Sequence, residues 1–301
     1  MREWNREVQA MIDWIERHLQ DSPTLDAMAR HLHYSRFYCS RLFRQTAGVT
    51  LRQYLAGRRL YGATIAVRDT QRPIVDIALE YGYSSQSALT RAFQYAYGCT
   101  PAAYRSHPVP IPLTLRKVVL EPSYFIRKGV VEMSEYALTK PEVWVEYIPA
   151  HTFIGLYDPA AQGYWDFESR PDFGEVEGII ESMVPFQDPV VWAHHAGWFY
   201  PDGKDGKRGY FYGAGVSPDY DGPVPAGFAS REIPGSYYLV FGHPKYDYAD
   251  NGEVMKRVED LAWSFDPRSM GYEWNEDACQ DYQRHMWNSR GYQVLRPIRK
   301  P

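Results

Sequence analysis

The stretch "IVDIALEYGYSSQSALTRAFQYAYGCT", residues 74–100, has two faces. Leu89, Ala92, Phe93 and Ala96 recur at helical spacing along one side, while Gln86, Ser87, Thr90, Arg91 and Gln94 gather on the other. The second face is short-armed and rich in hydrogen-bonding groups. An earlier copy exists. "LDAMARHLHYS" from Leu25 matches "IVDIALEYGYS" from Ile74 at an offset of 49, and "SRLFRQTAGVT" from Ser40 matches "TRAFQYAYGCT" from Thr90 at an offset of 50. Each copy reads as a short helix, a tight connection and a longer helix opened by serine, Ser35 in the first and Ser84 or Ser85 in the second. That is a helix-turn-helix, twice.

In the first copy Arg36, Phe37, Ser40, Arg41 and Arg44 take the wheel positions of Gln86, Ser87, Thr90, Arg91 and Gln94, an arc of about 140°. Arg donates a bidentate pair to guanine and Gln to adenine. Ser and Thr reach bases or phosphates, and Phe meets a thymine methyl. A single such helix reads more readily as a solvated surface; its duplication inside a basic module reverses this and argues for double-stranded DNA. Residues 1–106 hold 14 Arg, no Lys and 9 acidic residues, whereas the remainder holds 19 basic and 28 acidic ones. The net charge of −4 therefore hides a basic module joined to an acidic one.

Val8, Met11, Ile12, Ile15 and Leu19 mark an amphipathic first helix. Residues 50–70 predict a helix joining the two copies, in which Gly57 and Gly62 each cost about 1 kcal/mol relative to Ala. Arg58 and Arg59 on that helix are candidate phosphate contacts. With "DIALEYGYSSQSALTRAF" followed by "GCTPAAYR", residues 5–106 resemble the DNA-binding domain of the AraC/XylS family of bacterial regulators. The resemblance implies an all-α domain whose recognition helices, 35–47 and 85–97, enter successive major grooves about 34 Å apart.

A second repeat lies in the acidic part: "IPAHTFIGLYDP", 148–159, aligns with "IPGSYYLVFGHP", 233–244, at an offset of 85. Each copy has an extended segment on either side of Ile-Pro and then a helix, from Phe173 or Asn251. Strand-like stretches at 190–199, 208–216 and 292–298 complete two sheet-and-helix halves of one α+β domain. The pattern resembles the GyrI-like effector-binding domain, a pseudo-twofold pair whose groove holds small, often aromatic or cationic molecules. The expected layout is 1–107 for DNA binding, 108–140 as connector and 141–301 for the effector.

Residues 107–301 carry 33 aromatics, enough for a large core or for a pocket that stacks flat ligands. The resemblance implies a glutamate just before the last strand and two residues ahead of a tyrosine; here Gln280 stands at that place, so Asp281 or Glu276 would supply the charge, or the ligand is neutral. The candidate pocket residues, by analogy with the family, are Asp281, Tyr282, Trp287 and Tyr292 with Trp192 and Tyr212.

The sequence lacks a nucleophile elbow, a phosphate loop and an H-E-x-x-H motif, and no enzyme activity, metal or cofactor is expected. His194 and His195 are adjacent and would point to opposite faces of a strand. No apolar run suggests a membrane span, the opening residues lack an apolar signal core, and the three cysteines form no close pair, so the cytoplasm is expected. The reading is a bacterial transcription regulator with double-stranded DNA, a small aromatic effector and RNA polymerase as partners. Its rival is a small-molecule hydrolase or drug-sequestering protein that carries a DNA-binding module.

Overall fold

Asn5 accepts a hydrogen bond from the Val8 amide and opens α1 (Arg6–Arg17), whose apolar stripe starts a helical unit. The computed structural model describes residues 5–21, 23–117, 119, 138–188, 191, 195–246, 250–286 and 291–301. Two compact units make up the chain: Met1–Glu121 with Glu177–Ser182, and Pro122–Val176 with Met183–Pro301.

In the helical unit follow α2 (Leu25–His31), α3 (Arg36–Ala47), α4 (Leu51–Asp69), α5 (Ile74–Glu80), α6 (Gln86–Tyr97) and α7 (Pro101–Ser106). Two cores flank α4. Met11, Ile15, Met28, Phe43 and Tyr54 centre the first, and Ala63, Ile77, Leu89, Phe93 and Tyr104 the second. Thr50 and Gln53 form a capping box at the start of α4. The two helix glycines are required by close approach: a Cβ on Gly57 would run into Thr114, and one on Gly62 into the Tyr81 ring. Arg58 braces the unit internally. Its Nε and Nη2 donate to Glu16 at 2.9 and 3.0 Å, and its Nη1 to the Thr114 carbonyl at 2.7 Å. Arg59 is half-buried, with its Nε donating to the Leu19 carbonyl at 3.3 Å. Of the two candidate phosphate contacts, Arg58 is thus committed inside the unit, whereas Arg59 keeps part of its side chain in solvent. The stretch 108–119, read as the start of a connector, contributes Ile111 and Leu113 to one core and Val119 to the other.

The second unit is one antiparallel sheet with helices. Its strands are β1 (Glu142–Ile148), β2 (His151–Asp158), β3 (Ala196–Tyr200), β4 (Gly209–Val216), β5 (Ala229–Ile233), β6 (Ser236–Gly242), β7 (Glu273–Trp274), β8 (Tyr282–Met286) and β9 (Gly291–Arg299). The later helices are α8 (Tyr164–Glu168), α9 (Phe173–Ser182), of which Glu177–Ser182 belong to the helical unit, and α10 (Asn251–Ser264). The order β1-β6-β9-β8-β3-β4-β2-β5 reads the same from either end when the halves are exchanged, with β7 added on β9. The segments before the two Ile-Pro turns change sides: β1 pairs with β6, and β5 with β2.

The pairings fix the symmetry. Phe153 and Tyr238 are equivalent in the repeat and face Gly215 and Pro297, which makes Tyr210 the counterpart of Tyr292. Continuing inward, Trp198 corresponds to Arg284, while Gly197 and Gln283 correspond and pair with each other at the axis. Within the stretch 190–199 expected as a strand, β3 opens at Ala196, directly after His195 at φ 51°. His194 lies outside the described residues.

Candidate functional site

The two helix-turn-helix units share their backbone. Tyr34 N donates to Ala29 O and Tyr83 N to Ala78 O, each at 2.9 Å, across turns whose left-handed residues are His33 (φ 59°) and Gly82 (φ 77°). Ser35 and Ser85 cap α3 and α6 by accepting from the Tyr38 and Ala88 amides, both at 3.2 Å. Each helix ends on a left-handed glycine, Gly48 or Gly98, at φ 73°. Cys39, Phe43 and Ala47 bury one side of α3, and Leu89 and Phe93 one side of α6. The opposite sides are thereby turned outward.

Arg36, Phe37, Ser40, Arg41 and Arg44 are exposed on α3; Gln86, Ser87, Arg91 and Gln94 are exposed on α6, with Thr90 half-buried. Phe37 is 75% exposed, an open apolar side chain amid three arginines. Arg36 pairs with Asp26 at 3.0 Å, both in solvent, an attachment of at most about 1 kcal/mol. Arg41 lies 5.8 Å from the Phe37 ring centre. Arg44 and Arg91 make no ion pair or side-chain hydrogen bond among the described residues. Tyr95, which the sequence reading passed over, stands 95% exposed beside Arg91 on α6; its spacing put it at the margin of the polar arc.

In the second unit the four expected pocket residues that are described lie on more than one face of the sheet. Trp192 and Trp287 lie outside the described residues. Tyr282 is fully buried and stacks on Trp198 with centroids 4.1 Å apart, on one face of the sheet. Tyr212 and Tyr292 point to the other face, where Tyr212 meets Phe167 at 5.2 Å. The period-2 alternation of strands separates them. Asp281 is 9% exposed and lies 3.7 Å from Arg296, which also pairs with Glu276. Burial and then Glu276 push the Asp281 carboxyl up to about 7, against the pull of Arg296 and Arg208. Both acids expected to serve a ligand are thus engaged with one arginine.

A different constellation sits at the axis. Tyr210 donates to Gln283 Oε1 at 2.9 Å, Gln283 Nε2 donates to Glu259 Oε1 at 3.1 Å, and Tyr292 donates to the same oxygen at 2.7 Å. The pseudo-equivalent tyrosines converge on an axial glutamine and a carboxylate of α10. Gly197 is required there, because a Cβ would collide with the Tyr210 hydroxyl. Burial raises the Glu259 carboxyl above its ordinary range, while the hydrogen bond from Tyr292 opposes the shift. Glu259 was missed because nothing in "NGEVMKRVEDLAWSF" distinguishes it from its acidic neighbours. Among the described residues no group of three or more His, Cys, Asp or Glu is disposed to hold a metal, and no helix is long and apolar enough to cross a membrane.

The chain is similar to known proteins across both units. A family model described as a helix-turn-helix domain matches residues 28–107. The regulatory protein SoxS of Salmonella typhimurium is 39% identical over 98 residues, which are 33% of this chain and 92% of SoxS. The C-terminal domain of AraT, a response regulator from Geobacillus stearothermophilus, is 31% identical, covering 34% of this chain and 86% of that domain with a TM-score of 0.33. The right origin-binding protein of Escherichia coli K12 is 39% identical over 235 residues, which are 78% of this chain and 76% of that protein. Two helix-turn-helix units of one geometry, followed by a sheet domain and matched over that length, carry one conclusion: the chain belongs to the AraC-type family of helix-turn-helix regulators, in the two-domain layout of the right origin-binding protein.

Proposed function

We propose that the chain is a cytoplasmic transcription regulator that binds double-stranded DNA through α3 and α6 and answers to a small aromatic effector in its second unit. The observation that supports it best is the pair of outward faces on α3 and α6, built on identical caps and turns. The relative's name, right origin-binding protein, points to DNA as well. Arg36, Phe37, Ser40, Arg41 and Arg44 would read one half-element, and Gln86, Ser87, Thr90 and Arg91 the next. RNA polymerase is the partner such a regulator engages.

The second unit is read as a GyrI-like binding domain rather than an enzyme. Gln280 replaces the glutamate expected there, and the acid at the axis, Glu259, is held by a tyrosine and a glutamine. The effector site is assigned to that axial face, with Tyr210, Gln283, Tyr292 and Glu259.

Selection of bound sequences from a random duplex pool tests the reading. Arg41→Ala and Arg91→Ala are each expected to weaken binding by about 1–3 kcal/mol and to relax preference at positions about one turn apart. Equal binding to all sequences, or loss of preference at the same base pair in both variants, would remove the assignment.

A further inference from the structure

We propose that α1 is a strut between the two helix-turn-helix copies, that Gln20 and Glu80 form its joint, and that this joint sets which spacing of half-elements the protein accepts. The proposal rests on the DNA-binding reading and adds to it residues that position the two reading helices relative to each other.

The two copies are joined first by α4, and they grip different parts of it. Tyr54 belongs to the first core, and Leu60, Ala63 and Val67 to the second. Two bodies fixed along one rod can still twist about it. DNA makes that twist matter, because each base pair added between two half-elements carries the second about 3.4 Å along the duplex and about 34° around it.

α1 meets both copies at the same position of the repeat. His31 and Glu80 are equivalent at the offset of 49. Trp14 lies beside His31, with ring centroids 6.3 Å apart. Gln20, just past the end of α1, donates its Nε2 to Glu80 Oε1 at 2.8 Å, and Glu80 also pairs with Arg72. Arg59 of α4 is seated at the same place: its Nε donates to the Leu19 carbonyl at 3.3 Å, and its Cζ lies 3.1 Å from the position of a Cβ on Gly82. Tyr81 packs on α4 at Gly62. Leu19 and Gln20 therefore hold α4 and the last residue of α5 together, off the axis of α4, where a twist between the copies must stretch them.

The segment 108–119 crosses α4 elsewhere. Thr114 lies against Gly57, about 140° around the helix from Gly62 at 100° per residue. That crossing keeps the unit together when the joint is cut. The joint itself is partly in solvent, with Glu80 28% and Arg72 46% exposed, so it adds little to stability and can be altered without unfolding the chain.

The test measures binding of the full chain, by fluorescence anisotropy, to a duplex selected from a random pool and to two relatives of it with one base pair removed from or added between the half-elements. The half-elements are placed by the base pairs that Arg41→Ala and Arg91→Ala relax. Wild type is expected to prefer the selected spacing. Gln20→Glu sets two carboxylates against each other and should shrink that preference about fivefold; Gln20→Glu/Glu80→Gln rebuilds the bond with donor and acceptor exchanged and should restore it. The readout is the ratio among the three duplexes, which a general loss of affinity does not move. A ratio that Gln20→Glu leaves unchanged, or a wild type indifferent to spacing, overturns the proposal. If Arg41→Ala and Arg91→Ala still relax different base pairs in that event, reading by α3 and α6 stands and only the joint is lost; if neither alters the preference, the DNA-binding reading falls with it.

Discussion

Both units are built by doubling, and they have diverged in opposite places. In the helix-turn-helix pair the buried side keeps its character, aromatic Phe43 against Phe93, while the outward side changes from three arginines to one. In the sheet the change is inside. Trp198, fully buried against Tyr282, corresponds to Arg284, which is 2% exposed and donates to both oxygens of Glu146 at 2.9 Å. Phe211 corresponds to Gln293, which accepts from Arg284 Nε at 2.8 Å. Glu146 itself corresponds to Arg231, whose guanidinium lies 4.7, 4.1 and 4.7 Å from the ring centres of Tyr157, Tyr200 and Phe211. One half of the interior is aromatic and the other an ion pair with an amide. A repeat that reads an external ligand varies its surface; a repeat that shares one core is free to vary the core, provided every buried charge keeps a partner.

The strongest way to break this contrast is at Arg284. Arg284→Ala removes both guanidinium bonds to Glu146 from a buried site and is expected to destabilise the chain by about 3–5 kcal/mol in urea unfolding, with Glu146→Leu/Arg284→Met recovering most of it. A loss below about 1 kcal/mol would mean that the polar half does not depend on the pair.

Asp281 sharpens the same comparison through pH. Its carboxyl rises from 3.8 to about 7 on folding, so its contribution is present below pH 3.8 and is lost as the pH climbs towards 7. Asp281→Asn removes that loss. Relative to wild type the variant should gain stability between pH 4 and 7 by up to about 1.4 kcal/mol per unit, and no further above that range. Parallel stability curves for the two proteins would contradict the burial argument.

The smallest effect probes the turns. His33 occupies the left-handed position that Gly82 occupies in the second copy. His33→Gly should raise the urea midpoint, worth about 1 kcal/mol, and Gly82→Ala should lower it by a similar amount plus the shift of Arg59, 3.1 Å from the added Cβ. Opposite signs are the test; the same sign would show that the turns are not equivalent.

The helical unit was legible because periodicity, serine caps and terminal glycines all agree: α3 begins one residue after Ser35, the serine read as its opener, and α6 one residue after Ser85, one of the two serines read for it. The sheet was legible where burial on both faces makes a continuous apolar run, as in "GYFYGAGV" of β4. β8 was not, since "YQRHM" buries Gln283 and Arg284 among partners from other strands and shows no strand alternation of its own. The axial site was illegible for the same reason: the convergence of Tyr210, Gln283, Tyr292 and Glu259 is a property of strand order, which no local pattern encodes.

The crossing of β1 to β6 and of β5 to β2 sets how this domain is made. β1 must wait for a partner about a hundred residues further on, Glu142 meeting Gly242, and the sheet cannot close until β9 has been synthesised. Pairings of such sequence separation are slow to form, whereas the helical unit is rich in local ones. On the ribosome the helical unit therefore has time to fold while the first sheet half is still an open set of edges in need of protection from other chains. Cutting the sheet unit between its halves would yield no two smaller domains, because each fragment would keep one strand that belongs to the other.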